Sequence, residues 1–176
     1  MQTLSGRVFD FDSFSGVEIE DIAGQLAKTC RFNGACRVPY SVAEHSVRVA
    51  LLIDDSPTVK LAGLLHDAAE AYTGGIVQPF KRKLGSRVKH VEKRITRAIL
   101  QNAGLSPRLL EEPGVSHKVK LAGETLLATE RRDLMAPCTT EWRLRARPLR
   151  TVIRPWGWRK AERRFLDLYS SLKDVC

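Results

Sequence analysis

Apolar residues recur along most of this chain with the spacing of an α-helix, and this periodicity limits the folds that it can adopt. The first stripe, in residues 17–30, consists of Ile19, Ile22, Leu26 and Cys30. Acidic residues occupy the first turn of the same segment, where the helix dipole favours them. The pattern predicts helices over residues 17–30, 41–53, 56–72, 85–104, 116–134 and 157–172. We therefore expect an all-α fold.

Capping residues mark where several of these helices begin and end. Ser41 is followed three residues later by Glu44, which is the spacing of a capping box. Ser56 precedes Pro57, and proline is favoured at the first position of a helix. Gly74 ends the third predicted helix.

The length and composition of the chain suit one globular domain. Its 176 residues can bury a single core, and 43% of them are hydrophobic and 28% charged. No linker or internal repeat divides the helices, so we expect one domain over residues 1–176 with its core in residues 17–172. Only residues 139–155 are ambiguous, because their pattern also fits a short strand or a strand-like arm.

Nothing in the sequence predicts a membrane span or a secretory signal. No segment reaches the ~18 consecutive apolar residues of a membrane-spanning helix, and the N-terminus lacks the basic start and apolar stretch of a signal peptide. We therefore expect a cytoplasmic protein with no membrane partner. A disulfide framework or a cysteine zinc site is not expected either, because no CxxC pair occurs among Cys30, Cys36, Cys138 and Cys176.

The chain carries a net charge of +9, and the excess is uneven. Residues 131–164 alone contain 11 arginine and lysine residues. Such a balance suits a polyanionic ligand, which can be a nucleotide phosphate, a nucleic acid or a membrane surface. The alternative is a solvated basic face that keeps the protein soluble, and charge alone does not choose between them.

The segment LAGLLHDAAEAYTGG, residues 61–75, places ionisable groups in an otherwise apolar helix. His66 and Asp67 are adjacent, and Glu70 lies four residues after His66, on the same face of a regular helix. Burying such groups is costly unless something pairs with them. The preceding predicted helix offers His45 among apolar neighbours. Imidazole and carboxylate groups from two adjacent helices can close around one divalent ion, and this mixture suits Mn, Co, Fe, Zn or Ni better than Ca.

Several segments of the chain together resemble those of the HD-domain metal-dependent phosphohydrolases. They are CRFNG, YSVAEHSVRVA, LLHDAAEAY, QPFKRKL and LATERRDLM. Within this family the chain is similar to the small bacterial 5'-deoxynucleotidases of the YfbR type and to the phage dATP triphosphohydrolases. The resemblance implies an HD-type helical bundle, one divalent transition metal, a nucleotide monophosphate or triphosphate as substrate, and a homo-oligomer.

The resemblance also implies a role for each matching residue. By motif position the metal ligands are His45, His66 and Asp67, while Glu70 acts on the attacking water or a second ion. The substrate-binding residues implied in the same way are Arg31, Phe32, Tyr40, Pro79 and Lys81. The chemistry of these side chains agrees, because arginine and lysine can neutralise phosphate oxygens and a metal ion activates water as a nucleophile.

Three positions depart from the pattern of this family. Gly123 stands where the family has an aspartate that completes the metal site, Gly75 stands where a further aspartate is common, and Ala35 replaces a histidine. Losing a residue that only supports a metal ligand weakens metal binding roughly 10–100-fold, so losing a ligand is expected to cost at least as much. A water molecule or the neighbouring Glu124 can fill the open position.

Three functions compete on this sequence. The first is a nucleotide phosphohydrolase whose activity and metal affinity are reduced by the missing aspartates, and we favour it. The second is a degenerate HD domain that binds nucleotides or regulates a partner without turnover. The third is a nucleic-acid-binding protein that uses the basic C-terminal region, although no recognised reader motif occurs there.

Overall fold

The computed structural model describes residues 1–140 and 142–176, and their regular structure is helical. The helices are α1 (Ile19–Lys28), α2 (Val42–Leu52), α3 (Pro57–Leu65), α4 (Glu70–Thr73), α5 (Gln78–Leu84), α6 (Ser86–Asn102), α7 (Pro113–Leu134) and α8 (Trp158–Lys173). Short 3-10 turns lie at Arg31–Gly34 and Leu109–Glu111. Apart from isolated β-bridges, the described residues form no strand. The predicted all-α fold is confirmed.

The core forms where α2 packs among the other long helices. α2 contacts α1, α3, α7 and α8, and α8 in turn contacts α1 and α3. The predicted apolar stripes face this core, since Ile22 and Leu26 of α1 and Ala161 and Phe165 of α8 are fully buried. Because α2 is enclosed on several sides, the position of His45 on it is fixed by packing.

Ser41 begins α2 as predicted, but the expected capping box is only half formed. The Ser41 hydroxyl oxygen accepts a hydrogen bond from Glu44 N at 3.1 Å. The Glu44 carboxylate is fully buried and accepts instead from Arg48 at 2.7 Å and from the backbone N–H of Trp156 at 2.6 Å. Glu44 therefore ties α2 to the segment that precedes α8.

The largest departure from the predicted helices lies at the His-Asp pair. α3 ends at Leu65 with His66 as its C-cap. The chain continues through turns closed by bonds to the third residue back, such as Glu70 N to Asp67 O at 3.0 Å. This pattern winds more tightly than an α-helix. The prediction of one continuous helix over 56–72 is therefore wrong, because the pair lies at a helix end.

The structure also contains a helix, α5, that the periodicity does not predict. It carries the QPFKRKL motif, and its seven residues are too few and too basic to show an apolar stripe. α5 passes directly into α6 through Gly85, whose φ of 80° suits glycine. The remaining predicted helices differ from the observed ones by a few residues at each end.

The segment that joins α7 to α8 has no regular structure in its described part. Neither the short strand nor a helix forms in residues 139–155, of which Glu141 lies outside the described residues. Two side chains of α7 hold the segment, since Leu149 N donates to the Thr129 hydroxyl at 2.9 Å and Ile153 N donates to Asp133 at 2.8 Å. The segment is thus anchored along α7 at defined points.

Two further observations bear on the expectations from sequence. Over residues 1–140 and 142–176, none of the helices combines the length and the apolar character needed to cross a bilayer. The cysteines at positions 30, 36, 138 and 176 are free thiols.

The contacts of Glu44 with Trp156 and Arg48 predict that one substitution at position 44 lowers the stability of the protein. We expect Glu44→Ala to lower the free energy of unfolding by about 2–3 kcal/mol, because it leaves a buried N–H and a guanidinium without their acceptor. Urea denaturation measures the change. Asp167→Ala, at an exposed position of α8, serves as the control and should stay within about 0.5 kcal/mol. Equal effects of the two substitutions would contradict the assignment.

Candidate metal centre

Two imidazoles and one carboxylate converge inside the helical bundle. Asp67 Oδ2 lies 3.3 Å from His66 Nε2 and 3.7 Å from His45 Nε2. One ligand atom from each residue lies within 4.8 Å of the other two. His45 is buried, and the other two residues are half-buried. Such a mixture of nitrogen and oxygen donors fits a borderline transition metal.

The second ring nitrogen of each histidine already has a partner. His66 Nδ1 lies 2.7 Å from the backbone oxygen of Gly63, and this nitrogen must be the donor because a carbonyl can only accept. His45 Nδ1 lies 2.6 Å from Glu130 Oε1, where the carboxylate accepts in the same way. In the neutral form of each ring, Nε2 keeps a lone pair near Asp67, although Asp67 outweighs burial and raises the pKa of His66. Contacts of this kind fix the tautomer and the ring orientation of metal-binding histidines.

The charges around this cluster oppose the usual effect of burial on its two carboxylates. Burial raises the pKa of Glu130, but His45 and Arg31 outweigh it and bring that pKa down to about 2. Burial and the positive charge of Arg31 lower the pKa of His45. Burial disfavours ionised Asp67 as well, yet the two histidines and Arg31 hold its pKa below the usual range. Metal binding requires neutral imidazoles and an ionised Asp67, so an ion at this site must displace the proton that Asp67 favours on His66.

The motifs of the sequence predict no role for Glu130, which the structure places beside His45 and Arg31. It lies on α7 and is fully buried. Its Oε1 contacts His45, and its Oε2 accepts from Arg31 at 3.0 Å. A signal was present in the sequence, because Leu126 and Leu134 lie four residues to either side and both are buried. The period of α7 therefore points Glu130 into the core.

The RFNG turn brings Arg31 and Phe32 to the site through an unusual backbone. Phe32 and Asn33 have φ angles of 53° and 54°, in the left-handed region. Such a conformation costs about 1–3 kcal/mol for a residue other than glycine and is typical of functional sites. Arg31 holds the turn in place, because its guanidinium bonds Glu130 and lies 3.5 Å from Asp67 Oδ2.

A cavity of 380 Å³ opens beside the cluster. Its lining combines donors, cations and aromatic rings, and includes Arg31, Phe32, Asp67, Glu70, Gly75, Pro79, Lys81 and Trp142. The Trp142 ring lies 6.0 Å from that of Phe32 between centroids. The structure thus brings most of the predicted site residues to one cavity and adds Trp142 to them.

Tyr40 is the predicted substrate-binding residue that does not reach this cavity. Its side chain is 1% exposed and packs in the core. Its backbone oxygen accepts from Arg31 N at 2.9 Å. The structure therefore corrects the expected role, because a side chain so enclosed supports the RFNG turn and is not available to a substrate.

Glu70 and Lys81 face each other across the wall of the cavity. Lys81 Nζ lies 3.5 Å from Glu70 Oε1 and 2.7 Å from Glu92 Oε1. Burial and the nearby Asp67 raise the pKa of Glu70 to about 7, although Lys81 opposes them. A carboxyl group with this pKa can both accept and release a proton in neutral solution.

Gly75 and Gly123, the two positions at which the resemblance leads us to expect aspartates, have different surroundings. A Cβ atom added at Gly123 would meet no other atom within 4 Å, and this residue lines a second cavity that also reaches His66. A Cβ atom added at Gly75 would lie 3.3 Å from Glu70 Oε2. Glu124 lies outside the group formed by His45, His66 and Asp67, and its carboxylate lies 3.9 Å from Lys120. A side chain can therefore begin at position 123 without its Cβ atom meeting a neighbour.

Comparison with known proteins finds relatives that are themselves uncharacterised. The chain is 38% identical over 136 residues to the uncharacterized protein YfdR of Escherichia coli (strain K12), an alignment that covers 76% of this chain and 71% of YfdR. It is 38% identical over 128 residues to the uncharacterized protein RCAP_rcc00048 of Rhodobacter capsulatus, which covers 68% of this chain and 64% of that protein. No family model matches the chain.

The buried position of Glu130 leads to a prediction about metal affinity. We expect Glu130→Gln to weaken binding of Zn²⁺ or Mn²⁺ roughly 10–100-fold, because the substitution removes the charge that orients His45. Isothermal titration calorimetry measures the affinity. Glu124→Gln, on the same helix but outside the cluster, should leave it unchanged. An unaltered affinity in the folded Glu130→Gln protein would show that His45 needs no such support.

Proposed function

We propose that this chain, which belongs to the family of the Escherichia coli protein YfdR, is a metal-dependent phosphohydrolase of the HD-domain kind that acts on a nucleotide. The observation that carries the proposal is the convergence of His45, His66 and Asp67 beside a cavity with cationic and aromatic walls. The substrate class is a nucleotide phosphate ester or a nucleoside triphosphate.

The donor set supports a catalytic metal rather than a structural one. Catalytic sites commonly supply three protein ligands and leave a position open, whereas structural sites are closed by four. Among residues 1–140 and 142–176, the group that could hold an ion has three members. When bound, a divalent cation would activate water and offset negative charge on a phosphate.

The remaining residues of the cavity have roles that follow from their chemistry. Lys81 and Arg31 place positive charge on the wall, where it attracts and orients a phosphate group. Glu70 lines the cavity together with Asp67, where its carboxyl group can exchange a proton with the reacting water or the leaving group. Phe32 and Trp142 offer apolar faces on which a base can stack.

We also propose that turnover is low. Gly75 and Gly123 provide no side chain at two positions that face the site or border it. A metal held by fewer protein groups binds more weakly, and a cavity with fewer carboxylates transfers protons less effectively. The open space at Gly123 equally favours a second function, in which the protein binds nucleotides without hydrolysing them.

Hydrolysis assays with Asp67→Asn test the proposal. We expect the unaltered protein to release phosphate or triphosphate from deoxynucleotides in the presence of Mn²⁺ or Co²⁺. Asp67→Asn should lower this activity at least 100-fold, because it removes one metal ligand, while Asp167→Asn at the surface should leave it unchanged. Binding of metal and nucleotide without release of product would favour the second function. Absence of both binding events would refute the two together.

A second test places a carboxylate at position 123 and should strengthen metal binding. We expect Gly123→Asp to raise metal affinity at least tenfold, since losing a comparable group costs roughly that much or more. The matched control is Gly123→Ala, which should stabilise α7 by about 1 kcal/mol through helix propensity alone and leave metal affinity unchanged. Calorimetric titration and urea denaturation of both proteins separate the two effects. Equal metal affinities in both would show that position 123 does not face the ion.

A further inference from the structure

A strongly basic surface borders the cavity of the candidate metal centre. It is formed by residues 142–150, which we call the basic arm. The arginines at positions 143, 145 and 147 are exposed, whereas the intervening Leu144 and Ala146 are half-buried. The arm therefore turns its small and apolar side chains inward and presents a row of guanidinium groups to solvent.

The sequence of this region contains few acidic residues to balance its positive charge. Between Asp133 and Glu162 the sequence contains seven arginine and lysine residues and a single acidic residue, Glu141. In the part of the chain that the structure describes, the ion pair between Arg132 and Asp133 is the last one along the sequence. No carboxylate there pairs with an arginine of the basic arm. Such a concentration of one charge attracts polyanions.

Trp142 lies at the point where the basic arm meets the candidate metal centre. Its side chain lines the cavity that holds Asp67 and Glu70. It also lines an adjoining cavity of 630 Å³, whose other walls include Arg37 and Arg131. The Arg131 guanidinium lies 5.5 Å above the Trp142 ring. An aromatic ring framed by arginines is the kind of platform on which nucleic-acid bases stack.

We propose that the basic arm and Trp142 bind single-stranded nucleic acid, and that the bound strand leads toward the candidate metal centre. Exposed arginines two residues apart can each contact a different phosphate, while Trp142 stacks on a base. A membrane surface or an inorganic polyphosphate could use the charges but not the aromatic platform, and a duplex keeps its bases stacked within itself. This binding goes beyond the proposed function and does not depend on hydrolysis.

Fluorescence anisotropy with a labelled oligothymidylate of 20 nucleotides tests the arm at several salt concentrations. The variant Arg143→Gln, Arg145→Gln, Arg147→Gln should bind at least tenfold more weakly in 0.1 M salt. The slope of log affinity against log salt should fall in magnitude by about 2, because each phosphate contact with a single strand contributes roughly 0.7.

The matched control removes three positive charges elsewhere on the surface. Arg87, Lys89 and Arg108 are exposed, and they lie outside the basic arm. Their combined substitution by glutamine should change affinity less than threefold. Equal losses in the control and the arm variant would overturn the proposal, since they would show attraction by net charge alone. Circular dichroism melting verifies that each protein is folded.

A second pair of substitutions tests the aromatic contact. Trp142→Ala should weaken binding about tenfold through the loss of one stacked base, and Trp142→Phe should retain most of the affinity. Unchanged binding by Trp142→Ala would overturn the proposal. So would competition by inorganic polyphosphate or by phosphatidylglycerol vesicles as effective as that of the oligonucleotide itself.

Strand binding and nucleotide hydrolysis, measured side by side on the same proteins, separate this inference from the proposed function. If hydrolysis fails in every protein and the arm still binds the strand, only the proposed function falls. If the strand does not bind while nucleotides are hydrolysed, only this inference falls.

Discussion

The buried contacts of Glu130 connect the parts of the site that come from distant segments of the chain. One carboxylate oxygen orients His45 on α2, and the other holds Arg31 of the RFNG turn, whose guanidinium also approaches Asp67. Burying this many charges is tolerable only because each has a partner. The site therefore behaves as one electrostatic unit, and removing any member leaves another without its counter-charge.

The long helices and their inner faces could be predicted from sequence, because periodicity, a serine at the start and glycine at the end act locally. α1 and α8 follow the periodicity, since apolar residues four apart are buried in each of them, and Ser41 caps α2. The end of α3 at Leu65 could not be predicted, since the alanine-rich sequence after it favours a helix. There the contacts of His66 and Asp67 with other segments prevail over local propensity.

The cluster of His45, His66 and Asp67 was predictable because burying ionisable residues in an apolar segment is costly unless they have partners. The role of Glu130 could not be predicted without knowing which face of α7 points inward, because Glu130 lies in a run of charged residues. For Tyr40 the predicted role in substrate binding is wrong, because a residue beside a motif does not have to share the role of that motif. Only the three-dimensional packing distinguishes a side chain in the cavity from one behind it.

The bond between Glu44 and the backbone of Trp156 links the last part of the chain to the helix that carries His45. Because Glu44 and His45 are neighbours in sequence, the bond between Glu44 and the C-terminal segment also restrains the position of the His45 imidazole. Breaking that bond would therefore remove one constraint on the helix that carries His45. Events at the surface between α7 and α8 can in this way be transmitted to the centre of the bundle.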